Sequence, residues 1–324
     1  MNIFISEYLC SGAWSHPLDD AGLLNEAKGM LLATIEDFSK CPGVEVWTTW
    51  DHRLGPFPMT DIQVEITHSA DEESAAFNKL VTTADASFVI APEFHGLLKD
   101  RSSRIEASGR RRLSVPSFIV ELFSDKLATY EHCRSHGIPT IPTYESFATG
   151  LSDSYFVHKP RFGAGSVETN RLTREEAKTA KMTSDFGPML LQPYLEGESL
   201  SVGLIARGDQ IDILPLTRQI LSDSQSFKYI GSDLPVFLEL QDRVEALVKQ
   251  LLRLLPSMTG YLGIDLLYVP SVDELLLVEV NPRLTTSYLA YRQFTNENLL
   301  TRLLDTMPLQ PIRWFDQTVQ LRLT

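Results

Sequence analysis

Short apolar runs and longer amphipathic stretches alternate along the first third of the chain. Runs rich in β-branched and aromatic residues predict strands, and stretches whose apolar residues recur with the helical period predict helices. In chain order these are Ile3–Ser6 (strand), Leu23–Ser39 (helix), Val44–Thr48 and Asp61–Ile66 (strands), Glu72–Ala84 (helix) and Ser87–Ala91 (strand). This βαββαβ order predicts a small parallel sheet, and the Arg- and Ser-rich stretch Lys99–Val115 is interpreted as the connection that leaves it.

The rest of the chain alternates in the same way. Helices are predicted at Asp125–His136, Thr173–Lys181, Leu238–Leu255 and Asn296–Asp305, and strands at Ser154–Lys159, Met189–Gln192, Ser199–Arg207, Gln210–Leu216, Gly260–Val269 and Glu274–Val280. Ser124 is expected to cap the first of these helices. Gly208 and Asp209 predict a hairpin turn between two of the strands. The pattern therefore predicts an α/β protein with more than one lobe, in keeping with a length of 324 residues.

Charge and cysteine content narrow the class of protein. The net charge of −13 argues against binding nucleic acid, because a polyanion would be repelled. The short basic cluster Arg110–Arg112 is interpreted as a solvated loop. Cys10, Cys41 and Cys133 lie far apart without CxxC spacing, which fits a reducing cytoplasm. The chain has no signal-peptide pattern at its start and no apolar run of membrane-spanning length, so a cytoplasmic protein without a membrane partner is expected.

Acidic residues in two late strands are the first candidate for chemistry. Asp265 lies in the predicted strand Gly260–Val269, and Glu279 and Asn281 lie at the end of the next one, after a turn at Pro270–Asp273. Residues two apart share one face of a strand, and antiparallel pairing would bring Asp265 beside them. Oxygen ligands of this kind suit Mg²⁺. The alternative is a structural ion-pair network without a metal.

Two lysines and a glycine-rich loop are the second candidate. Lys126 lies at a predicted helix start, and Lys159 ends a strand just before the loop Pro160–Ser166, which contains Gly163 and Gly165. Glycines allow backbone N–H groups to approach phosphate oxygens closely, and lysines supply positive charge. The loop taken alone is equally typical of a plain turn. The chain contains neither GxxxxGK[ST] nor GxGxxG, so neither a P-loop nor a Rossmann dinucleotide site is predicted.

The third candidate is an extended, proline-containing stretch. Gln192, Tyr194 and Leu195 flank Pro193 there, where backbone groups can meet the edge of an adenine ring. Glu198 follows closely and can accept hydrogen bonds from ribose hydroxyl groups. Taken alone, this stretch is interpreted as an acidic linker.

In this order, the three candidates resemble the ATP-grasp superfamily. The stretches that carry the resemblance are Ser124–Lys126 (SDK), His158–Ser166 (HKPRFGAGS), Gln192–Val202 (QPYLEGESLSV), Gly263–Val269 (GIDLLYV) and Val278–Arg283 (VEVNPR). The resemblance covers residues 115–300 and implies an α/β, ATP-grasp fold in three parts. These are an N-terminal α/β (pre-ATP-grasp) domain at 1–114, a helix and small lid subdomain with the glycine-rich loop at 115–191, and a larger C-terminal α+β subdomain with the metal site at 192–324.

The resemblance also implies a role for each candidate residue. The residues implied to bind ATP, through its phosphates, the closing loop, adenine and ribose, are Lys126, Lys159, Gly163, Gly165, Ser166, Gln192, Tyr194, Leu195 and Glu198. Those implied to bind Mg²⁺, with Mn²⁺ as an alternative, are Asp265, Glu279 and Asn281. Arg283 is implied to stabilise the transferring phosphoryl group. Arg218 is a second candidate for that task, with a plain surface ion pair as an equal alternative.

The reaction that the resemblance implies joins a small-molecule carboxylate to an amine. The carboxylate attacks the γ-phosphate of ATP to give an acyl-phosphate and ADP, and the amine then displaces phosphate. Such transfers depend on positioning and charge neutralisation rather than on a nucleophilic side chain. A small-molecule kinase and a non-catalytic ATP-binding regulatory protein stay open as alternatives, and so does a homodimer as the assembly.

Three short segments narrow the resemblance to a subgroup. Leu284–Tyr288 (LTTSY) stands where many relatives continue with glycine, while Ser6–Tyr8 and Ala91–Glu93 close two strands of the first sheet. These features resemble the tyramine–glutamate ligases of methanofuran-type cofactor synthesis, which form a γ-glutamyl amide. Glu7 and Glu93 lie at strand carboxyl ends, where open α/β sheets bind ligands. Either can receive the amine, or both can be ordinary loop acids.

Overall fold

The computed structural model describes residues 1–15, 21–223, 225–304 and 310–323. Within these ranges the strands are β1 (Asn2–Glu7), β2 (Glu45–Asp51), β3 (Gln63–Thr67), β4 (Ala86–Ile90), β5 (Arg111–Arg112), β6 (Tyr155–Pro160), β7 (Asn170–Thr173), β8 (Thr183–Ser184), β9 (Gly187–Pro193), β10 (Glu198–Gly208), β11 (Gln210–Ile213), β12 (Thr217–Leu221), β13 (Tyr229–Leu234), β14 (Met258–Val269), β15 (Glu274–Asn281) and β16 (Val319–Arg322). The α-helices in the same ranges are α1 (Ala21–Ser39), α2 (Ala70–Thr83), α3 (Leu97–Ala107), α4 (Ser117–Ser124), α5 (Lys126–Ser135), α6 (Arg174–Thr179), α7 (Gln241–Leu252) and α8 (Tyr288–Tyr291).

The described N-terminal strands form a parallel sheet in the order β3-β2-β1-β4-β5, which confirms the predicted βαββαβ arrangement. Both faces of β1 are buried, because Ile3 and Ile5 pack in the core that contains α1 whereas Phe4 meets Phe77 of α2 edge to face, with ring centroids 5.5 Å apart. The strand order reverses at β1. The carboxyl ends of β1 and β4 therefore form the switch point at which open α/β sheets bind ligands.

The stretch Lys99–Val115, interpreted as the connection out of the first sheet, contains regular structure. Most of that stretch belongs to α3, and β5 then adds to the edge of the sheet beside β4. Charged residues hid this helix because one of them is buried: the Arg101 guanidinium donates to both carboxylate oxygens of Glu73, at 2.7 and 2.6 Å. Sequence patterns count such an arginine as solvent-exposed, whereas a bidentate partner allows its burial.

The basic cluster Arg110–Arg112 is not the solvated loop that the sequence suggests. Arg111 donates to the carbonyl oxygen of Leu303 at 2.9 Å, and burial lowers the pKa of Arg112. The cluster therefore helps to join the first sheet to the C-terminal part of the chain.

A small antiparallel sheet in the order β7-β6-β9-β8 corresponds to the predicted lid. The predicted helix inside it is α6, which begins after a capping box in which the side chains of Thr173 and Glu176 each bind the other's backbone N–H. In front of this sheet, the prediction that Ser124 caps α5 is wrong. Asp125 is the cap, because its carboxylate accepts from the N–H groups of Leu127 and Ala128.

The C-terminal sheet has the order β15-β14-β10-β12-β13-β16, with β11 paired to β10 as the predicted hairpin. Strands β12 and β13 were not predicted. The predicted helix Leu238–Leu255 is shorter, as α7 after a 3₁₀ turn, and Asn296–Asp305 contains the 3₁₀ helix Leu299–Leu303, with Asp305 outside the described residues. The domain boundaries predicted at 114 and 191 fall near the ends of the first two sheets and stay predictions.

Among the described residues, no helix combines the length and the apolar character needed to cross a membrane. Cys10, Cys41 and Cys133 are all buried free thiols.

Candidate nucleotide and metal cleft

A cleft of about 510 Å³ lies between the lid sheet and the C-terminal sheet. Its walls come from β6, β9, β10, β12, β14 and β15 and from the loops around them. The predicted site residues that line it are Lys126, Lys159, Gly163, Gly165, Ser166, Gln192, Tyr194, Leu195, Asp265, Glu279, Asn281 and Arg283. Segments separated by more than 150 positions along the sequence therefore meet in one cavity, of the size typical of small-molecule sites.

The candidate metal ligands lie where β14 and β15 pair. The strands are antiparallel with Asp265 opposite Glu279 and Gly263 opposite Asn281, which confirms the predicted shared face. The Asn281 amide group donates to one Asp265 carboxylate oxygen at 3.0 Å, and the Gln219 amide donates to the other at 3.0 Å. These bonds use the NH₂ groups of both amides and fix the orientation of the Asp265 carboxylate.

The charge states of Asp265 and Glu279 fit a bound cation. Burial and the nearby Glu279 charge raise the pKa of Asp265 to about 7. Burial acts on Glu279 as well, but the positive charges of Lys126, Lys159 and Arg283 outweigh it and lower the pKa of that carboxyl. Two adjacent carboxylates that resist joint ionisation are a place where a divalent cation would stabilise both charges.

The protein offers only part of a coordination shell. Across the described ranges, no three or more His, Cys, Asp and Glu side chains converge as a metal-binding group. The candidate set has two carboxylates and one amide oxygen instead. Mg²⁺ commonly takes only one or two protein carboxylates and completes its shell with water and substrate phosphates, so the donor set fits Mg²⁺ held together with a nucleotide.

Lys126 and Lys159 both lie close to the Glu279 carboxylate. Their ammonium nitrogens lie 3.5 and 4.0 Å from one oxygen of Glu279, and Lys126 also donates to the carbonyl oxygen of Gly163 at 2.9 Å. Burial, aided by the charge of Lys126, lowers the pKa of Lys159 to about 8. Two ammonium groups beside one carboxylate leave an excess of positive charge that phosphate oxygens would balance.

The glycine-rich loop lines the cleft next to Lys126. Gly165 has φ +65, in the left-handed region that favours glycine. Ser166 follows in the same region, with φ 57, and its hydroxyl donates to the carbonyl oxygen of Phe227 at 2.8 Å. The lid loop is thereby tied to the turn between β12 and β13.

Part of the cleft is lined by apolar side chains, and this apolar slot includes Leu195 of the predicted hinge. The aliphatic side chains that line the slot are Ile141, Val157, Leu195, Leu267 and Val278. The Gln192 side chain is buried and donates to the Thr143 hydroxyl at 2.8 Å, so it holds the hinge in place. An apolar lining of this kind suits the faces of a purine base.

Two predicted residues are not brought to the cleft. Arg218 and Glu198 lie 3.1 Å apart as an ion pair, and the Arg218 guanidinium stacks over the Phe237 ring. Their strand neighbours Gln219 and Ser199 line the cleft instead. Since side chains alternate between the faces of a strand, both members of this pair are turned to the opposite face.

Arg283 lies at the junction of the cleft and the first sheet. Its guanidinium donates to both carboxylate oxygens of Glu93, at 2.9 and 3.3 Å; Glu93 is buried and Arg283 is nearly so. Burial lowers the pKa of Arg283, but Glu93 outweighs this and raises it. Glu93 thus fixes Arg283 at the switch point of the first sheet. Arg283 in turn compensates the negative charge of Glu93.

Glu7 lies beside this pair and is also buried. Its carboxylate accepts from the Cys10 N–H at 2.7 Å. Burial raises the pKa of Glu7 to about 7, although the Cys10 hydrogen bonds and the charge of Arg283 lower it in part. Near neutral pH the carboxyl is therefore divided between its two protonation states.

Glu7→Gln is expected to change how stability depends on pH. The folded protein holds the Glu7 proton up to about pH 7, whereas the unfolded chain releases it near 4.5. The stability that Glu7 contributes is complete below 4.5, the pKa in the unfolded chain. It is lost as the pH rises through about 7, the pKa in the folded protein. The free energy of unfolding of the variant, relative to the parent, should rise by on the order of 2–3 kcal/mol from about pH 5 to about pH 8.

Urea unfolding followed by tryptophan fluorescence at the two pH values measures this difference. Glu45→Gln, at an exposed carboxyl on β2, is the matched control. A Glu7→Gln difference that stays constant with pH would contradict the assigned burial.

Several residues that line the cleft were not predicted from the sequence. They are Glu26 from α1, Ser199 and Ser201 from β10, Gln219 from β12, Tyr229 from β13, and Thr285, Thr286 and Ser287 before α8. Leu284–Tyr288 was noted as unusual, which was a usable signal for the last three. Nothing local marked Glu26, because its place in the cleft depends on the packing of α1 against α8.

With this geometry established, the chain can be assigned to a family. An ATP-grasp domain model matches residues 123–287, and a pre ATP-grasp 3 domain model matches residues 44–117. The chain belongs to the ATP-grasp family, and the predicted fold, an ATP-grasp unit behind an N-terminal α/β domain, is confirmed.

Named relatives and solved structures agree with the assignment. The chain is similar to the tyramine–L-glutamate ligases of Methanocaldococcus fervens (27% identity, 89% of this chain and 88% of that one) and Methanocaldococcus jannaschii (23%, 92% and 86%). Its fold is similar to that of an ATP-grasp superfamily protein from Archaeoglobus fulgidus (TM-score 0.76, 21% identity, 99% and 92% covered). It also resembles the biotin carboxylase domain of Hydrogenobacter thermophilus 2-oxoglutarate carboxylase, solved with MgADP (TM-score 0.74, 13%, 97% and 72%).

Proposed function

We propose that this protein is an ATP-dependent carboxylate–amine ligase that joins the γ-carboxylate of L-glutamate to tyramine or a similar amine through an acyl-phosphate. The observation that carries the proposal is the convergence of two lysines, two carboxylates, one amide and a fixed arginine in a single cleft. The names of the two curated relatives support the choice of substrates.

Each group has a task in this reaction. Lys126 and Lys159 hold the phosphates of ATP, and the apolar slot holds its base. Asp265, Glu279 and Asn281 would hold Mg²⁺, or Mn²⁺ in its place, which when bound supplies positive charge between the phosphates. Arg283, fixed by Glu93, orients the substrate carboxylate and stabilises charge on the transferring phosphoryl group.

The chemistry balances without a nucleophilic side chain. A γ-carboxylate oxygen of glutamate forms a bond to the γ-phosphorus, and the bond between that phosphorus and the β,γ-bridging oxygen breaks, so ADP leaves. The neutral amine nitrogen then forms a bond to the acyl carbon, and phosphate leaves with the former carboxylate oxygen. The amine loses one proton to solvent. Exclusion of water by the lid loop protects the acyl-phosphate from hydrolysis.

A cluster of aromatic side chains next to Glu7 and Glu93 supports an aromatic amine. Tyr8 and Phe94 directly follow Glu7 and Glu93 in the sequence. Their rings lie 6.3 and 5.4 Å from the Trp14 ring, and Phe186 of the lid adds to the cluster at 5.1 Å from Phe94. A flat, weakly polar ring such as that of tyramine would pack well against such side chains.

Release of ADP and phosphate, measured with L-glutamate in the presence and absence of amines, tests the proposal. We expect ADP, phosphate and amide in equal amounts, with tyramine among the productive amines. A small-molecule kinase would instead release ADP without phosphate and without consuming amine, and a regulatory protein would release neither. Either result, obtained across a pool of amino acids and amines, would overturn the ligase proposal.

A further inference from the structure

The cleft continues past the proposed nucleotide and metal site towards the N-terminal domain. Its wall there consists of Glu26 from α1, Arg283, and the hydroxyl-bearing turn Thr285–Ser287. None of the tasks assigned above to ATP, Mg²⁺ or the phosphoryl group uses Glu26 or these hydroxyl groups.

The turn Thr285–Ser287 is held rigidly. The hydroxyl groups of Thr285 and Ser287 lie 2.9 Å apart, and the Tyr288 N–H donates to the carbonyl oxygen of Thr285 at 2.9 Å. The turn also rests directly on β14: a side chain at Gly263 would come within 2.4 Å of the Thr285 methyl group. Gly263 thus allows the turn to lie two residues from Asp265, beside the proposed metal ligands.

Glu26 is fixed relative to this turn by two sets of contacts. The Thr286 hydroxyl donates to the Glu26 carboxylate at 2.5 Å. Further along α1, Asp37 accepts hydrogen bonds from the Tyr288 hydroxyl and from the Arg292 guanidinium, the latter at 2.8 Å. Helix α1 and the segment around α8 therefore form one unit, which holds the Glu26 carboxylate at the end of the cleft.

The charges at this end are arranged for a ligand that carries both signs. Arg283 offers positive charge, and the electrostatic influence of Glu26 reaches both Arg283 and Tyr229, whose pKa burial raises first and Glu26 raises further. Glu26, which lines the same wall, supplies negative charge there. A cationic group fits beside Glu26, and a carboxylate fits beside Arg283.

We propose that Glu26, together with the Thr286 hydroxyl oxygen, binds the α-ammonium group of the carboxylate substrate and so selects an α-amino acid over a simple dicarboxylic acid. This inference rests on the proposed ligase function and deepens it by assigning specificity to a pair of residues. A carboxylate anchors the ammonium group by charge-assisted hydrogen bonds, while the other end of the substrate reaches Arg283 for activation.

Calorimetric titration of L-glutamate and of glutarate, which lacks the amino group, tests the inference without any need for turnover. The titrations use the full chain with MgADP present. We expect the parent protein to bind L-glutamate about 10- to 100-fold more tightly than glutarate, and Glu26→Gln to lose most of this preference with glutarate binding unchanged. Thr286→Val should reduce the preference in the same sense by a smaller factor, and it serves if Glu26→Gln does not fold.

Steady-state kinetics separate a subsite role from a structural one. Glu26→Gln should raise the KM for L-glutamate about 10- to 100-fold and leave the KM for ATP, the KM for the amine and kcat within about threefold. Glu45→Gln, at an exposed carboxyl on β2, should change none of them. An increase confined to the KM of the amine would assign Glu26 to the acceptor and overturn the inference.

Equal affinity of the parent protein for L-glutamate and glutarate would also overturn it, as would an equal loss of both in Glu26→Gln. A failure of the ligase proposal has a different signature. In that case no amide forms from any carboxylate and amine, while the calorimetric preference for L-glutamate, and its loss in Glu26→Gln, still decides whether the subsite exists.

Discussion

Glu279→Gln is expected to lower kcat at least about 1,000-fold, because a bound divalent ion supplies several kcal/mol of charge stabilisation in phosphoryl transfer. The side chain keeps its size but loses the charge that lies opposite Asp265 and close to Lys126 and Lys159. The Mg²⁺ concentration for half-maximal rate should rise as well. Steady-state rates over a range of Mg²⁺ concentrations measure both effects.

Glu245→Gln is the matched control for this change. Glu245 pairs with Lys249 on the surface of α7 at 2.8 Å, and its substitution should leave rate and Mg²⁺ dependence unaltered. A Glu279→Gln variant with normal kcat and normal Mg²⁺ dependence would favour the alternative of a purely structural ion-pair network.

Lys159→Met is expected to lower kcat/KM for ATP by about 100- to 1,000-fold without destabilising the nucleotide-free protein. The ammonium group is buried, and its pKa falls to about 8 from 10.5. A depressed lysine pKa means that stability rises only as the pH passes from about 8 to about 10.5, so at neutral pH the buried charge costs the fold up to about 3 kcal/mol. Methionine fills similar space without that cost.

The Tm of Lys159→Met at neutral pH should therefore equal or exceed that of the parent, although its turnover is largely lost. Lys249→Met, at a lysine exposed on α7, is the control for the loss of a positive charge. A large fall in Tm together with a small fall in kcat/KM would mean that Lys159 serves the ion pair with Glu279 rather than the phosphates.

The sequence was sufficient where neighbouring residues determine the geometry. Asp265, Glu279 and Asn281 could be placed on one face because two strands joined by a short turn must pair, and the strand period fixes which side chains share a face. The glycine loop after Lys159 was recognisable for a similar reason, since a left-handed backbone favours glycine.

The sequence was insufficient where a one-residue step in strand register, or a contact between distant segments, determines where a side chain lies. Arg218 and Gln219 are adjacent, and only the pairing of β12 with β10 determines that Gln219, not Arg218, reaches the cleft. Glu26 comes to the site through the packing of α1 against a segment some 260 positions later. Helix α3 was hidden by Arg101, whose burial depends on the distant Glu73.

Transfer of an oxygen isotope tests the central claim, ATP-driven activation of a carboxylate in this cleft, most directly. L-glutamate labelled with ¹⁸O in its γ-carboxylate is incubated with ATP, Mg²⁺ and tyramine, and the phosphate released is analysed by mass spectrometry. We predict one labelled oxygen in phosphate for each amide formed, because the acyl-phosphate passes that oxygen to the departing phosphate. Amide formation with unlabelled phosphate, or with the label in AMP, would contradict an acyl-phosphate made at this site.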